Sequence, residues 1–194
     1  MIDAIEDFGL SPLTHPKFLT PKLASYKQNG ISKTWELIES HNSVAILIYH
    51  KEHDTFIFVK QFRPPVYNSN GQGITLELCA GLIDKNKSIE EIAKEEIEEE
   101  CGYLVGVDTI IKITSFHTAV GHSGGKQFLF YCQVDESMRI SQGGGVDSEM
   151  IEVVEMSLEE TTQMLFDETI VKTPGLLFAI YWWSNTIRQK IITC

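Results

Sequence analysis

Between Ser88 and Cys101 the sequence reads SIEEIAKEEIEEEC, a helix whose inward face carries acids. Ser88 with Glu91 three positions on forms a capping box, and Gly102 supplies the stop. At 100° per residue, Ile89, Ile92, Ala93 and Ile97 share one stripe that faces a core. Glu96 and Glu100 fall within that stripe, and Glu99 lies at its edge. Glu91, Lys94, Glu95 and Glu98 take the opposite, solvent-facing side. An ionised carboxylate removed from water must be paired or bound to metal. Lys94 points away, and no other basic residue stands at helical spacing. Glu96 and Glu100 are four apart, so their side chains are neighbours that repel. A hard divalent cation with oxygen ligands answers both problems. A solvated acidic face explains Glu90, Glu91, Glu95 and Glu98, but not the three acids on or beside the stripe.

The rest of the chain must build a core for that stripe. Its 194 residues suffice for one domain with a small appendage. With 43% hydrophobic and 22% charged residues it is globular rather than disordered. The net charge of −11 argues against nucleic acid or an anionic membrane as the main partner. A phosphate substrate remains admissible if a cation mediates. The first ten residues show no signal-peptide pattern, and Val44–Tyr49 and Leu176–Trp183 are too short to span a bilayer. Cys79, Cys101, Cys132 and Cys194 lack the close paired spacing of zinc sites and read as apolar filler, which suggests a cytoplasmic protein with reduced thiols.

Leu23–Gln28 and Ile31–Ile38 flank Asn29-Gly30, a hairpin-turn dipeptide. Ser43–His50 and Thr55–Phe62 read as a second hairpin, stopped by Arg63-Pro64-Pro65. Residues 66–73 read as a polar loop and Ile74–Cys79 as one strand. Further strands are expected at Thr109–His117, Lys126–Val134 and Met150–Met156, separated by the glycine-rich Gly121–Gly125 and Gly143–Gly145. Helices are expected over Ser157–Phe166, opened by a second capping box with Glu160, and from about Pro174 to Lys190. Strands outnumber helices and the order is not βαβα, so the class is α+β with a mixed sheet.

Gly81 through Tyr103, GLIDKNKSIEEIAKEEIEEECGY, resembles the Nudix box, G-x5-E-x7-R-E-U-x-E-E-x-G-U, with U a bulky apolar residue. Gly81, Glu96, Ile97, Glu99, Glu100, Gly102 and Tyr103 match without a gap. Lys87 stands where the first glutamate is expected and Glu95 where the arginine is expected. In the family these two resemble salt-bridge partners, so Lys87 with Glu95 reads as the same bridge with its charges exchanged. KQFRPPVY (Lys60–Tyr67), LELCAGLID (Leu76–Asp84) and YKQNGISKTWELIESHNSV (Tyr26–Val44) resemble the branch that hydrolyses ADP-ribose and UDP-sugars. Cys79, where most ADP-ribose enzymes have proline, places the resemblance nearest to UDP-glucose diphosphatases. It covers roughly residues 23–190.

The resemblance implies a Nudix fold, a mixed β-sheet sandwiched between helices, over residues 41–194. Residues 1–40 are expected to form an N-terminal β-hairpin extension, too poor in apolar residues to stand alone and therefore a dimerisation element of a homodimer. It implies hydrolysis of a nucleoside-diphosphate sugar, UDP-glucose or ADP-ribose, to a nucleoside monophosphate and a sugar phosphate. The alternative is a catalytically weakened domain that binds sugar nucleotides, motivated by Lys87 and Glu95. The Ala80 carbonyl, Glu96 and Glu100 are implied to hold Mg2+, with Mn2+ as substitute, and Glu99 is implied to be a nearby or third-ion ligand with a part in catalysis. Glu77 is implied to position water or substrate, Arg63 to contact the diphosphate or ribose, and Trp35 to stack on the base across a dimer interface. The catalytic base is assigned to Glu149, with Asp147 in reserve, on a loop that Gly143–Gly145 leaves mobile. His122, Ser123 and Lys126 are candidates for sugar or phosphate contact. His117 and His122 otherwise read as hydrogen-bonding loop residues, and Trp182 and Trp183 as packing.

Overall fold

The computed structural model describes residue 2 and residues 4–192; Cys194 lies outside the described residues. Strand β3 (Ser43–His50) is the spine of the molecule, buried along nearly its whole length. Alternation sends Val44, Ile46 and Ile48 to one face and Ala45, Leu47 and Tyr49 to the other. The first set packs under helix α2 (Ile89–Cys101), through Ile92, Ala93 and Ile97. The second packs under helices α3 (Leu158–Met164) and α4 (Pro174–Ile192), through Met164, Leu176, Ala179, Ile180 and Trp183. A mixed sheet between helices is therefore the observed architecture, as expected from the sequence.

Strand β4 (Thr55–Phe62) pairs with β3 only through its first residues, Thr55–Ile57. Beyond that point the two strands diverge, and a pair of short strands fills the gap. β5 (Ile74–Glu77) pairs with the second half of β4, and β6 (Cys79–Leu82) with the first half of β3. The expected single strand over Ile74–Cys79 is thus two strands parted at Leu78, because each segment follows a different partner. On the far side, β8 (Lys126–Val134) runs parallel to β3 and pairs with β7 (Ile111–His117), while β9 (Ile151–Ser157) edges β4.

The expected loop at 66–73 is corrected in its first half, since residues 64–70 form helix α1 (Pro64–Asn70). Pro64 and Pro65 end the preceding strand and start this helix, where their missing amide protons cost nothing. Near the N-terminus, β1 (Thr20–Gln28) and β2 (Ile31–Glu39) form a separate two-stranded sheet, longer at its open end than expected. Three contacts tie it to the loop after β7: Ile38 N–H donates to the His122 carbonyl at 2.7 Å, Trp35 Nε1 to the Gly121 carbonyl at 2.7 Å, and Ser40 meets Ser123 at 2.8 Å. Among the described residues no helix is long and apolar enough to cross a membrane.

Candidate active site

Helix α2 is fixed at both ends by features already legible in its sequence. Ser88 accepts from the Glu91 amide while Glu91 accepts from the Ser88 amide, so the capping box is complete. At the other end Gly102 closes the helix, and the glycine loop supplies donors for carbonyls the last turn leaves open. Gly144 N–H donates to the Glu100 carbonyl at 2.9 Å and Gly145 N–H to that of Glu99 at 3.1 Å. Gly143 has φ 68°, and a Cβ there would stand 2.2 Å from the Glu100 carbonyl oxygen. The loop that carries Glu149 is thereby bonded to the helix that carries the acids.

Glu100 is buried, 4% exposed, and accepts a hydrogen bond from the Ala80 amide at 2.9 Å. Glu96 lies over Gly81 so closely that a Cβ there would stand 1.9 Å from its Oε1. Burial, with the mutual charge of the two acids, pushes the Glu100 carboxyl up to about 8. Burial and the neighbouring Glu99 push Glu96 up to about 7. Both are poised to bind a cation rather than to stand ionised alone.

Arg63, which precedes α1, reaches back to β5. Its Nε and Nη2 each donate to a Glu77 carboxylate oxygen at 2.7 Å, and the Thr75 hydroxyl also donates to Glu77. These bonds hold the Glu77 carboxyl below its ordinary value despite burial. Glu149 is exposed, accepts from the Val146 amide at 3.1 Å, and bears electrostatically on Arg63, Glu96 and Glu100. Asp147 adopts a left-handed conformation at φ 53° in the same loop. The structure therefore brings Arg63, Glu77, Ala80, Glu96, Glu100 and Glu149 together.

The uridine diphosphate glucose pyrophosphatase of Bos taurus is 32% identical over 219 residues, 98% of this chain and 99% of that protein. Its counterpart in Mus musculus is 28% identical over 215 residues, 96% and 97% of the two chains. The GDP-mannose pyrophosphatase of Pectobacterium atrosepticum is 36% identical over 147 residues, 74% and 75%. No family model matches the chain. The near full-length match decides the family. This chain is a Nudix hydrolase, of the sugar-nucleotide pyrophosphatase branch.

Within the Nudix box the two departures meet: Lys87 Nζ bonds to Glu95, and Lys85 Nζ reaches the other oxygen of Glu95 at 3.1 Å. Both lysines hold the Glu95 carboxyl below its ordinary value. Glu95 is accordingly covered rather than fully solvated, and Lys94 and Glu98 are half-buried too. Lys85, which the sequence reading passed over, also stands 4.0 Å from Glu99 and counters the charge of Glu96. Thr75 was missed as well, although period-2 alternation on a strand puts it beside Glu77.

Trp35 is not part of the Nudix acid group. It is 54% exposed and lines a separate cleft of about 550 Å³ with Leu37, His117, Val120 and His122. His117 Nδ1 lies 3.0 Å from the Gly124 carbonyl, a loop-bonding role as expected. Trp183 is buried and Trp182 packs on Tyr131.

The Nudix fold implies a divalent metal, and the residues fit one. Glu96, Glu99 and Glu100 offer hard oxygen donors, two of them costly to ionise unaided. Ala80 contributes its amide to Glu100. Among the described residues the donors that lie within 4.8 Å of one another are those of His50, His53 and Glu136.

Proposed function

We propose that this Nudix hydrolase cleaves the diphosphate of a nucleoside-diphosphate sugar, releasing a nucleoside monophosphate and a sugar phosphate. The observation that carries this reading is the pair of a half-buried Glu96 and a buried Glu100 on one helix face, both driven towards neutrality beside the Arg63–Glu77 pair. Glu96, Glu100, the Ala80 carbonyl and Glu99 would hold Mg2+, with Mn2+ as substitute, and the ion when bound would screen the diphosphate and lower the pKa of a water.

The remaining work falls to the protein's own groups. Arg63 spends Nε and Nη2 on Glu77 and has Nη1 left for a phosphate oxygen. Glu77 orients that guanidinium. Glu149 takes the proton of the attacking water as the oxygen bonds to phosphorus and the bridging P–O bond breaks. Its loop, held to α2 through Gly144 and Gly145, brings it over the site. Asp147 is the reserve for this role. Trp35 stacks on the base across the dimer interface, its ring steadied by the bond to Gly121.

Residues 1–40 act as a dimerisation extension and residues 41–194 as the catalytic domain of a homodimer. The hairpin's own small sheet and its exposed Leu23, Tyr26 and Ile31 support this. A cytoplasmic setting is supported by the buried, unpaired Cys79, Cys101 and Cys132.

The test is to incubate the protein with UDP-glucose, GDP-mannose, ADP-ribose and a nucleoside triphosphate, with and without magnesium. Nucleoside monophosphate plus sugar phosphate from a sugar nucleotide, only with metal, supports the reading. Tight binding without turnover refutes it and favours the weakened binding domain that Lys87 and Glu95 suggested; the preserved ion pair between those two residues speaks for activity.

A further inference from the structure

At the far end of β3 from the α2 acids, a second group of metal-ligand side chains meets. His50 closes β3, His53 lies in the turn to β4, and Glu136 follows β8. Their ligand atoms lie within 4.8 Å of one another. His50 stands five positions along the strand from Ala45, the partner of Ala80, roughly 16 Å along β3. The two sets share no residue.

His50 is fully buried, and its Nε2 has no hydrogen-bond partner among the described residues. A buried ring nitrogen left unpaired is costly and calls for a partner. Nε2 stands 3.6 Å from Glu136 Oε2. That is too long for a hydrogen bond, and close to the edge of about 3.3 Å between two ligands of a tetrahedral zinc. The His53 ring stacks on His50 with centroids 3.8 Å apart. His53 Nδ1 lies 3.0 Å from Glu155 Oε2, so donation to that carboxylate leaves Nε2 with its lone pair. Thr55 and Arg139 hold Glu155 in turn. A carboxylate behind one ring nitrogen is what fixes the tautomer of metal-binding histidines.

We propose that His50, His53 and Glu136 form a second metal site, for a zinc-type divalent ion, which clasps the β3–β4 turn to the turn after β8. Two imidazoles and one carboxylate suit a borderline ion rather than magnesium, with water in the fourth position. Ligation through His50 Nε2 moves the ring proton to Nδ1 and releases the 3.2 Å hydrogen bond from the His53 amide. His53 then turns out of the stack so that both lone pairs converge on the ion. The turn that must adjust, residues 51–54, is solvent-exposed.

Zinc is titrated calorimetrically into the full chain with magnesium held saturating, and cobalt replaces it as a visible-absorption probe of nitrogen ligation. One site is expected, whose affinity falls at least tenfold in His53→Ala and in Glu136→Gln and about tenfold in Glu155→Gln. At zinc a hundredfold above the dissociation constant, melting rises by about 5 °C. Glu100→Gln leaves zinc affinity unchanged, and His53→Ala and Glu136→Gln leave magnesium-dependent turnover unchanged. Equal zinc affinity in wild type, His53→Ala and Glu136→Gln is adventitious binding only and overturns the site, as does a loss seen in Glu100→Gln alone.

Discussion

Replacing Glu100 by Gln should make the metal-free protein more stable at pH 8 while removing nearly all turnover. The folded carboxyl sits at about 8 against an ordinary 4.5. Below pH 4.5 it is protonated in both folded and unfolded chains and costs nothing. As the pH rises the unfolded chain releases its proton first, so stability is lost progressively until the pH passes the folded value. At 1.36 kcal/mol per tenfold change, the cost is about 1 kcal/mol at pH 5 and about 4 kcal/mol at pH 8. Gln keeps an oxygen that can accept from the Ala80 amide, so the 2.9 Å bond survives the change. The variant is therefore expected to gain about 3 kcal/mol on wild type between pH 5 and pH 8, or about 10 °C in melting temperature at the upper end. Urea unfolding in EDTA at the two pH values measures it. Magnesium at pH 8 should raise the wild type and leave the variant nearly unmoved. A variant that is less stable than wild type at pH 8, or a difference that ignores pH, would refute the burial of Glu100 as an anion site.

Gly81→Ala places a Cβ 1.9 Å from Glu96 Oε1; turnover should fall by about two orders of magnitude from the displaced ligand, with far-ultraviolet circular dichroism unchanged. In the cycle Lys87→Glu with Glu95→Arg, the double variant should recover activity relative to the singles, with a coupling of about 0.5–1 kcal/mol. Glu95→Arg should be the costlier single change, because Lys85 also bonds to Glu95, and equal, additive losses would count against the exchanged bridge. Asp135, held at about 2 by its bond to Lys51, lends stability that is full above its ordinary 3.8 and lost as the pH falls towards about 2. Asp135→Asn should flatten acid unfolding over that range.

The sheet and α2 were legible because their signals are local. β3 announces itself by an unbroken apolar run, and α2 by its stripe and capping box. The inward placement of Glu96 and Glu100 followed from helical period alone. What the sequence hid is long-range. Whether Ile74–Cys79 is one strand or two depends on where β3 and β4 part, a property of pairing partners 12 or more positions away. Helix α1 carried a readable sign, paired prolines at a helix start, overruled by the polar residues that follow. Lys85 reaches Glu95 across ten positions and Glu99 across a loop-to-helix turn, which no periodic reading connects. Glu149 needed the resemblance, because an exposed acid in a glycine loop looks the same wherever it lies. The amides of Gly144 and Gly145 on the end of α2 tie its loop to the acids.

The same helix face that holds α2 in place also works against it. Ile92, Ala93 and Ile97 are completely buried, and the two isoleucines contribute about 1.5–3 kcal/mol each. At pH 7.5 the burial that keeps the proton on Glu100, with a smaller part from the half-buried and better-screened Glu96, opposes this by on the order of 5 kcal/mol, because the unfolded chain releases both protons. The anchoring of α2 to the sheet is then nearly cancelled in the metal-free protein, and the segment should open far below the global unfolding free energy. A cation between the acids removes the opposing part without touching the apolar contacts. Amide hydrogen exchange over residues 92–101 should therefore slow by at least tenfold on adding magnesium at pH 7.5, and change little at pH 5, where protons already neutralise both acids. The strands β3 and β8, which carry no acid of their own, serve as the internal reference. Protection that rises equally in α2 and in these strands would mean that metal stabilises the whole fold, and that the helix face is not where the charges act.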